Sequence, residues 1–161
     1  LLATIKDTKS LVFDLSSPLL NEIGLSAAVS NWLKEQVEKK YDIKTSFIEK
    51  GDPVYLESDI KAILFRNTRE LVSNAIRHSK ASSVTVLLSR TKSDLTIMVE
   101  DDGVGFNTEN VGNSKGFGLF SVQERMADFG GSLEVFSHPG KGCRAILTFP
   151  VEKKSTSGEN K

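Results

Sequence analysis

Asn67, Glu70, Asn74 and His78 recur at spacings of three and four residues along the stretch Arg66–His78. At about 100° per residue they fall within an arc of roughly 80° on a helix. Ile60 and Ile63 lie in the same arc, and Leu64 and Leu71 lie beside it. A polar stripe merged with an apolar one is not a plain solvated face, because buried polar groups need partners. A ligand or a metal ion would supply them. A partly exposed helix edge with caps and ion pairs would also do so, and spacing alone leaves both readings open.

A second candidate ends the run Leu95-Thr96-Ile97-Met98-Val99-Glu100-Asp101. Period-two geometry places Leu95, Ile97, Val99 and Asp101 on one face of a strand. A carboxylate is thereby aimed along an apolar wall, at the point where the glycine turn Asp102-Gly103-Val104-Gly105 begins. A buried carboxylate is costly unless it is hydrogen-bonded, and an amino-bearing ligand such as adenine would bring the missing donor. The plainer alternative is a strand-end aspartate that caps its own turn. A third candidate is Lys115-Gly116-Phe117-Gly118-Leu119, leading into a helix. Glycines let backbone N–H groups approach phosphate oxygens, and a helix N-terminus adds a favourable field. The chain has no G-x-x-x-x-G-K-[ST] phosphate loop. It also lacks a dinucleotide fingerprint, since Thr108 stands where a third glycine would follow Gly105. His138 reads as an exposed turn residue, Cys143 as a core residue at the start of a strand, and Met98 and Met126 as packing residues.

The elements that must hold these residues follow from periodicity and punctuation. Leu1, Ile5, Thr8, Val12 and Leu15 form a short heptad seam stopped by Ser16-Ser17-Pro18. Ser26 is the expected cap of a helix to about Lys40, with Ala27, Ala28, Trp32, Leu33 and Val37 as its apolar contacts. A strand Ile43–Glu49, a turn at Gly51-Asp52-Pro53 and a long helix Ser58–Ser79 follow. Strands Ser83–Arg90 and Leu95–Asp101 form a hairpin. Residues 102–118 read as a long loop, Phe120–Phe129 as a helix ended by Gly130-Gly131, and Leu133–Ser137 and Cys143–Phe149 as closing strands. Glu152–Lys161 reads as a polar, disordered tail. Mixed order without strict alternation makes the fold class α+β.

The 161 residues amount to one domain with short appendages; 39% are hydrophobic and 26% charged, which excludes wholesale disorder. Lys plus Arg and Asp plus Glu each total 21, and this balance argues against a generic nucleic-acid binder. One cysteine forms no internal disulfide, and no apolar run approaches the roughly 18 residues of a membrane helix. These features point to a soluble, cytoplasmic domain.

Together and in this order, the motifs resemble those of sensor histidine kinases over about residues 11–150. Arg69-Glu70-Leu71-Val72-Ser73-Asn74-Ala75-Ile76-Arg77-His78 is similar to their N box, and Asp101-Asp102-Gly103-Val104-Gly105-Phe106 to their first glycine box. Gly116-Phe117-Gly118-Leu119, then Glu124-Arg125-Met126 and Gly130-Gly131, is similar to the second. Ser137–Gly142 and the strand ending at Pro150 resemble the family's closing hairpin. The Glu70-x-x-x-Asn74 pairing and Asp14-Leu15-Ser16-Ser17-Pro18 resemble the subfamily that partners LuxR-type response regulators, such as the nitrate-sensor kinases.

The resemblance implies an ATP-binding two-layer α/β sandwich of the GHKL superfamily (Bergerat fold), with a mixed, mostly antiparallel sheet and helices on one face. It implies ATP and Mg²⁺ as cofactors, Asn74 as the metal ligand, and Glu70 as the base or orienting group for an attacking histidine. Asp101 would accept from the adenine amino group, and Gly103, Gly105, Gly116 and Gly118 would shape the lid and phosphate cradle. Arg77, His78, Lys115, Phe117 and Leu119 complete the implied nucleotide contacts. Residues 1–17 would be the end of a dimerisation and phosphoacceptor helix, 18–151 the catalytic domain, and 152–161 a tail. The implied partners are that dimerisation domain, absent from this chain, and a LuxR-type regulator; the parent protein would be a homodimer. Ser114 and Cys143 depart from the family pattern, where glycine and threonine are usual. Two alternatives stand beside this reading: an anti-sigma-factor-type serine kinase of the same superfamily, and a degenerate nucleotide-binding module.

Overall fold

Alternating side chains decide which face of each strand turns inward, and the helices cover that face. The computed structural model describes residues 17–113 and 118–151. Within them, β1 (Lys44–Lys50), β2 (Ser83–Arg90), β3 (Asp94–Asp101), β4 (Ser132–Ser137) and β5 (Cys143–Pro150) form one sheet in the order β1-β2-β3-β5-β4. β1 runs parallel to β2, and the other neighbouring pairs are antiparallel. Val84, Val86 and Leu88 of β2, Leu95, Ile97 and Val99 of β3, and Ala145 and Leu147 of β5 are all buried on one side. The mixed, mostly antiparallel α+β sandwich is the fold expected from the sequence.

Helices α1 (Ser17–Ile23), α2 (Leu25–Trp32), a π-helical stretch Leu33–Glu38 and α3 (Lys39–Tyr41) precede β1. A parallel pair needs a crossover, and α4 (Ser58–His78) supplies it between β1 and β2. Helix α5 (Leu119–Asp128) packs on β4 and on α4. Leu64, Leu71, Val72 and Ala75 carry the buried face of α4. Its Arg69 guanidinium stacks over Trp32 at 5.4 Å and over Phe65 at 5.7 Å, joining α4 to the N-terminal helices.

Three expectations are corrected. Ser26 does not cap its helix: the N-cap is Gly24, and no side chain bonds to the first turn. The Ser26 hydroxyl instead donates to Glu49 Oε1 at 2.8 Å and accepts from Arg90 Nη2 at 2.9 Å, so it ties α2 to β1 and β2. Arg90 also pairs with Glu49 at 2.5 Å and, with Ser26, holds that carboxyl below its ordinary value. Ala27 is exposed rather than an apolar contact, whereas Ala28, Trp32, Leu33 and Val37 are buried as expected. The wider π winding is the third departure, and Leu33 and Val37 inside it are each 1% exposed. The heptad seam Leu1–Leu15 and the tail Glu152–Lys161 lie outside the described residues.

Ile97 is 0% exposed at the centre of the sheet's inner face. Ile97→Ala is expected to lower the unfolding free energy by about 2–5 kcal/mol, measured by urea denaturation.

Candidate nucleotide-binding site

The C-terminal half of α4, the end of β3 and the start of β5 meet around a cleft of about 540 Å³, counting its open mouth. Residues one helical turn apart on α4, namely Leu71, Asn74, Ala75 and His78, form one wall. Alternate residues of the two strands, Val99 with Asp101 and Cys143 with Ala145, form the floor. Gly105 and Phe106 of the glycine turn and Leu119 at the start of α5 close the sides. The lining is largely apolar with a few convergent polar groups, the ordinary make-up of a small-molecule site.

Asp101 is the buried carboxylate of this cleft, with 9% of its surface exposed. Burial pushes its carboxyl above its ordinary value, and the neighbouring charge of Asp102 acts in the same direction. The Gly103 amide, which donates to Asp101 Oδ1 at 2.9 Å, opposes that shift, as do the Ser79 hydroxyl and the Cys143 amide. Asp101 thus caps its own turn, the plainer alternative, and it also lines the cleft. The next residue faces the opposite way. Asp102 Oδ1 accepts the Ser82 and Ser83 amides at 2.8 and 2.9 Å, and Oδ2 accepts the Ser82 hydroxyl at 2.5 Å. These donors lower its carboxyl to about 2.

Gly105 has φ +64°, and a side chain there would collide with the His138 carbonyl. The glycine turn is thus pressed against the closing hairpin, with the Gly140 amide on the Val104 carbonyl at 2.6 Å and the Phe106 amide on Ser137 Oγ at 2.9 Å. His138 is exposed in that hairpin, as expected. Cys143 is not the core residue its strand position suggested. It begins β5 directly opposite Asp101, half-buried against the cleft, where burial and the Asp101 charge push its thiol up to about 11.

Gly118, at φ +62°, is the N-cap of α5, and a Cβ there would stand 2.5 Å from Glu70 Oε1. Helix α5 is fixed to α4 by Arg125, whose Nε donates to Asn67 Oδ1 at 2.8 Å; Asn67 is 0% exposed. Among the residues singled out from sequence, Asn74, His78, Asp101, Gly105 and Leu119 line the cleft. Glu70 lies one turn before Asn74, beside Gly118. Arg77 turns back toward Glu70 Oε1 at 3.5 Å, outside the lining. Gly103 packs on Ser79. Ser114, Lys115, Gly116 and Phe117 lie outside the described residues. Ser79 and Phe106 line the cleft without having been singled out as site residues. No group of three or more His, Cys, Asp or Glu side chains among the described residues is arranged to hold a metal ion.

A mixed sheet carrying an apolar cleft with a buried aspartate at a glycine turn defines a class of nucleotide-binding α/β sandwich. Residues 60–153 match the family of histidine kinase-, DNA gyrase B- and HSP90-like ATPases, and the chain belongs to it. The chain is 38% identical to the sensor histidine kinase LiaS of Bacillus subtilis over 141 residues, 85% of this chain and 36% of that protein. It is 32% identical to a sensor-like histidine kinase of Chloroflexus aurantiacus over 154 residues, 91% of this chain and 26% of that one. It thus spans only about a third or a quarter of the length of these relatives. The histidine kinase domain of the Erythrobacter litoralis EL346 blue-light activated kinase shares the fold, with a TM-score of 0.62, 22% identity, and 78% of this chain and 60% of that chain covered. No helix among the described residues is long and apolar enough to cross a membrane.

The Asp102 staple makes a pH-dependent contribution. Its carboxyl titrates near 3.9 when unfolded and at about 2 when folded. The staple is therefore fully stabilising above about pH 4 and is lost as the pH falls toward 2. Asp102→Asn is expected to lower the urea midpoint at neutral pH, with the gap to the parent closing as the pH drops from 4 to 2. A gap independent of pH would show that the carboxylate's charge plays no part.

Proposed function

We propose that this chain is the ATP-binding catalytic domain of a two-component sensor histidine kinase, transferring the γ-phosphoryl group of ATP to a histidine on a dimerisation domain outside these 161 residues. The observation that carries the reading is that Asn74 of one motif and Asp101 and Gly105 of another share one cleft in a chain of the ATPase family. The names of both curated relatives favour a histidine over a serine as acceptor. On the same reading the parent protein is a homodimer with its kinase domain in the cytoplasm, and its downstream partner is a LuxR-type response regulator.

The roles follow from the chemistry of each group. Asp101, a desolvated acceptor at the end of an apolar wall, takes the amino group of adenine. The side-chain carbonyl of Asn74 is a hard oxygen donor suited to Mg²⁺. When bound, that ion neutralises charge on the phosphates. His78 and Lys115 contact phosphate oxygens, and Gly116, Phe117, Gly118 and Leu119 lead into the N-terminus of α5, where backbone N–H groups favour anions. In the transfer, a bond forms between the acceptor imidazole nitrogen and the γ-phosphorus. The bond from that phosphorus to the β,γ-bridging oxygen breaks and ADP leaves. Glu70 orients the imidazole and takes its proton. Positioning and charge complementarity supply most of the catalysis in such reactions.

Asp101→Asn is expected to weaken ATP binding about 10- to 100-fold in calorimetric titration with Mg²⁺ present. Asn74→Asp and Glu70→Gln are expected to depress autophosphorylation of the full-length kinase, with Glu70→Gln leaving nucleotide affinity within about twofold. Unchanged phosphorylation by either variant would remove the corresponding role.

A further inference from the structure

Asn67 is fully buried on α4, and only one side of its amide is engaged. Its Oδ1 accepts the Nε–H of Arg125 from α5 at 2.8 Å, while its Nδ2 has no hydrogen-bond partner among the described residues. An aliphatic side chain of this size would fill the same space without an unpaired buried donor. Exchanging both partners of such a contact for apolar groups is often neutral or stabilising. Stability alone therefore does not account for the pair. A directed polar contact in a core specifies one relative placement of the elements it joins, which apolar packing specifies less sharply.

The placement specified here is that of α5 against Glu70. Asn67 and Glu70 are three residues apart on α4 and lie on one face of it. Gly118, the N-cap of α5, packs on Glu70, and a Cβ there would stand 2.5 Å from Oε1. Arg125 follows about two helical turns later on α5. The helices are thus pinned at two points, Gly118 on Glu70 and Arg125 on Asn67. Two points set both the slide and the tilt of one helix on the other. Arg125 also feels the charges of α4: burial and Arg66 hold its guanidinium below the ordinary value, and Glu70 opposes them. Arg77, whose Nη2 lies 3.5 Å from Glu70 Oε1, belongs to α4 itself and moves with it. It cannot register α5 on α4; Arg125 can.

We propose that Arg125 is a positioning residue that, through Asn67, holds the N-terminus of α5 in register with Glu70, and so sets the γ-phosphoryl group against the carboxylate that orients the acceptor histidine. The inference rests on the roles of Glu70 and of the α5 N-terminus proposed above. Neither Asn67 nor Arg125 lines the cleft. On the same reading the base is held at Asp101, away from the pin, so loss of the pin leaves the nucleotide bound and displaces its reactive end. A displacement of about 1 Å there costs up to about 100-fold in rate.

The test compares the parent with Arg125→Met, Arg125→Lys and the double variant Asn67→Leu/Arg125→Met. Autophosphorylation of the full-length kinase gives kcat and the KM for ATP. Calorimetric titration of the 161-residue chain with ADP and Mg²⁺ gives affinity, and urea denaturation gives stability. Arg125→Met is expected to lower kcat about 10- to 100-fold while KM and ADP affinity stay within about threefold. Arg125→Lys keeps the charge but not the planar Nε donor. It is expected to lower kcat about three- to tenfold, and it decides the matter if the methionine variant does not fold. The double variant leaves no polar group unpaired at the contact, so its urea midpoint is expected to return toward the parent's while kcat stays low. Recovery of kcat together with stability overturns the proposal and leaves the pair as packing. So does a kcat within about threefold of the parent in Arg125→Met, or a loss confined to ADP affinity. Glu70→Gln separates the two readings. If it leaves phosphorylation unchanged, the role of Glu70 falls and this inference with it; if it depresses phosphorylation while Arg125→Met does not, this inference alone falls.

Discussion

The Asp101 carboxyl ends a strand whose inward neighbours are Leu95, Ile97 and Val99, and only 9% of the residue meets solvent. Desolvation on that scale disfavours a charge unless donors are fixed around it. Much of the local structure meets this need. The chain turns at Gly103 so that its amide reaches Oδ1, α4 ends where Ser79 can face the carboxyl, and β5 starts where the Cys143 amide contributes. The donors come from three elements, so the carboxyl position depends on the whole end of the sheet being assembled. On the function proposed above, this carboxyl is the acceptor for an incoming N–H group of the ligand.

Two adjacent aspartates show how environment divides identical chemistry. Asp101 faces the apolar side of the sheet and is raised by burial; Asp102 faces the β2 entrance and is lowered to about 2 by the Ser82 and Ser83 donors. Pleat geometry alone sends them to opposite sides. One is left open to a ligand, while the other is consumed in holding the turn.

What the sequence made legible was what depends on local periodicity. Alternation in β3 placed Asp101 with Leu95, Ile97 and Val99, and helical spacing put Asn74 and His78 on one wall. What stayed hidden depends on partners far along the chain. Ser26 has the right residue type for a cap, but its hydroxyl is taken by Glu49 and Arg90. Cys143 reads as core until its register opposite Asp101 is known. Ser79 lies off the polar stripe and gains meaning only where β3 ends against it. Asn67 belonged to the stripe, yet it meets Arg125 of α5 rather than the cleft.

The parallel pairing of β1 with β2 carries a consequence for the order in which the molecule assembles. β2 with β3, and β4 with β5, pair across short turns, whereas β1 reaches β2 only after the whole of α4 has been enclosed. Enclosing a longer segment costs more chain entropy, and the β3–β5 pairing, which encloses residues 102–142 beside the cleft, costs more still. Every residue lining the cleft lies between Leu71 and Ala145, on elements that do not include β1 or the helices before it. The edge of the sheet can therefore fray while the pocket keeps its shape, which separates the breathing of one end of the domain from ligand retention at the other.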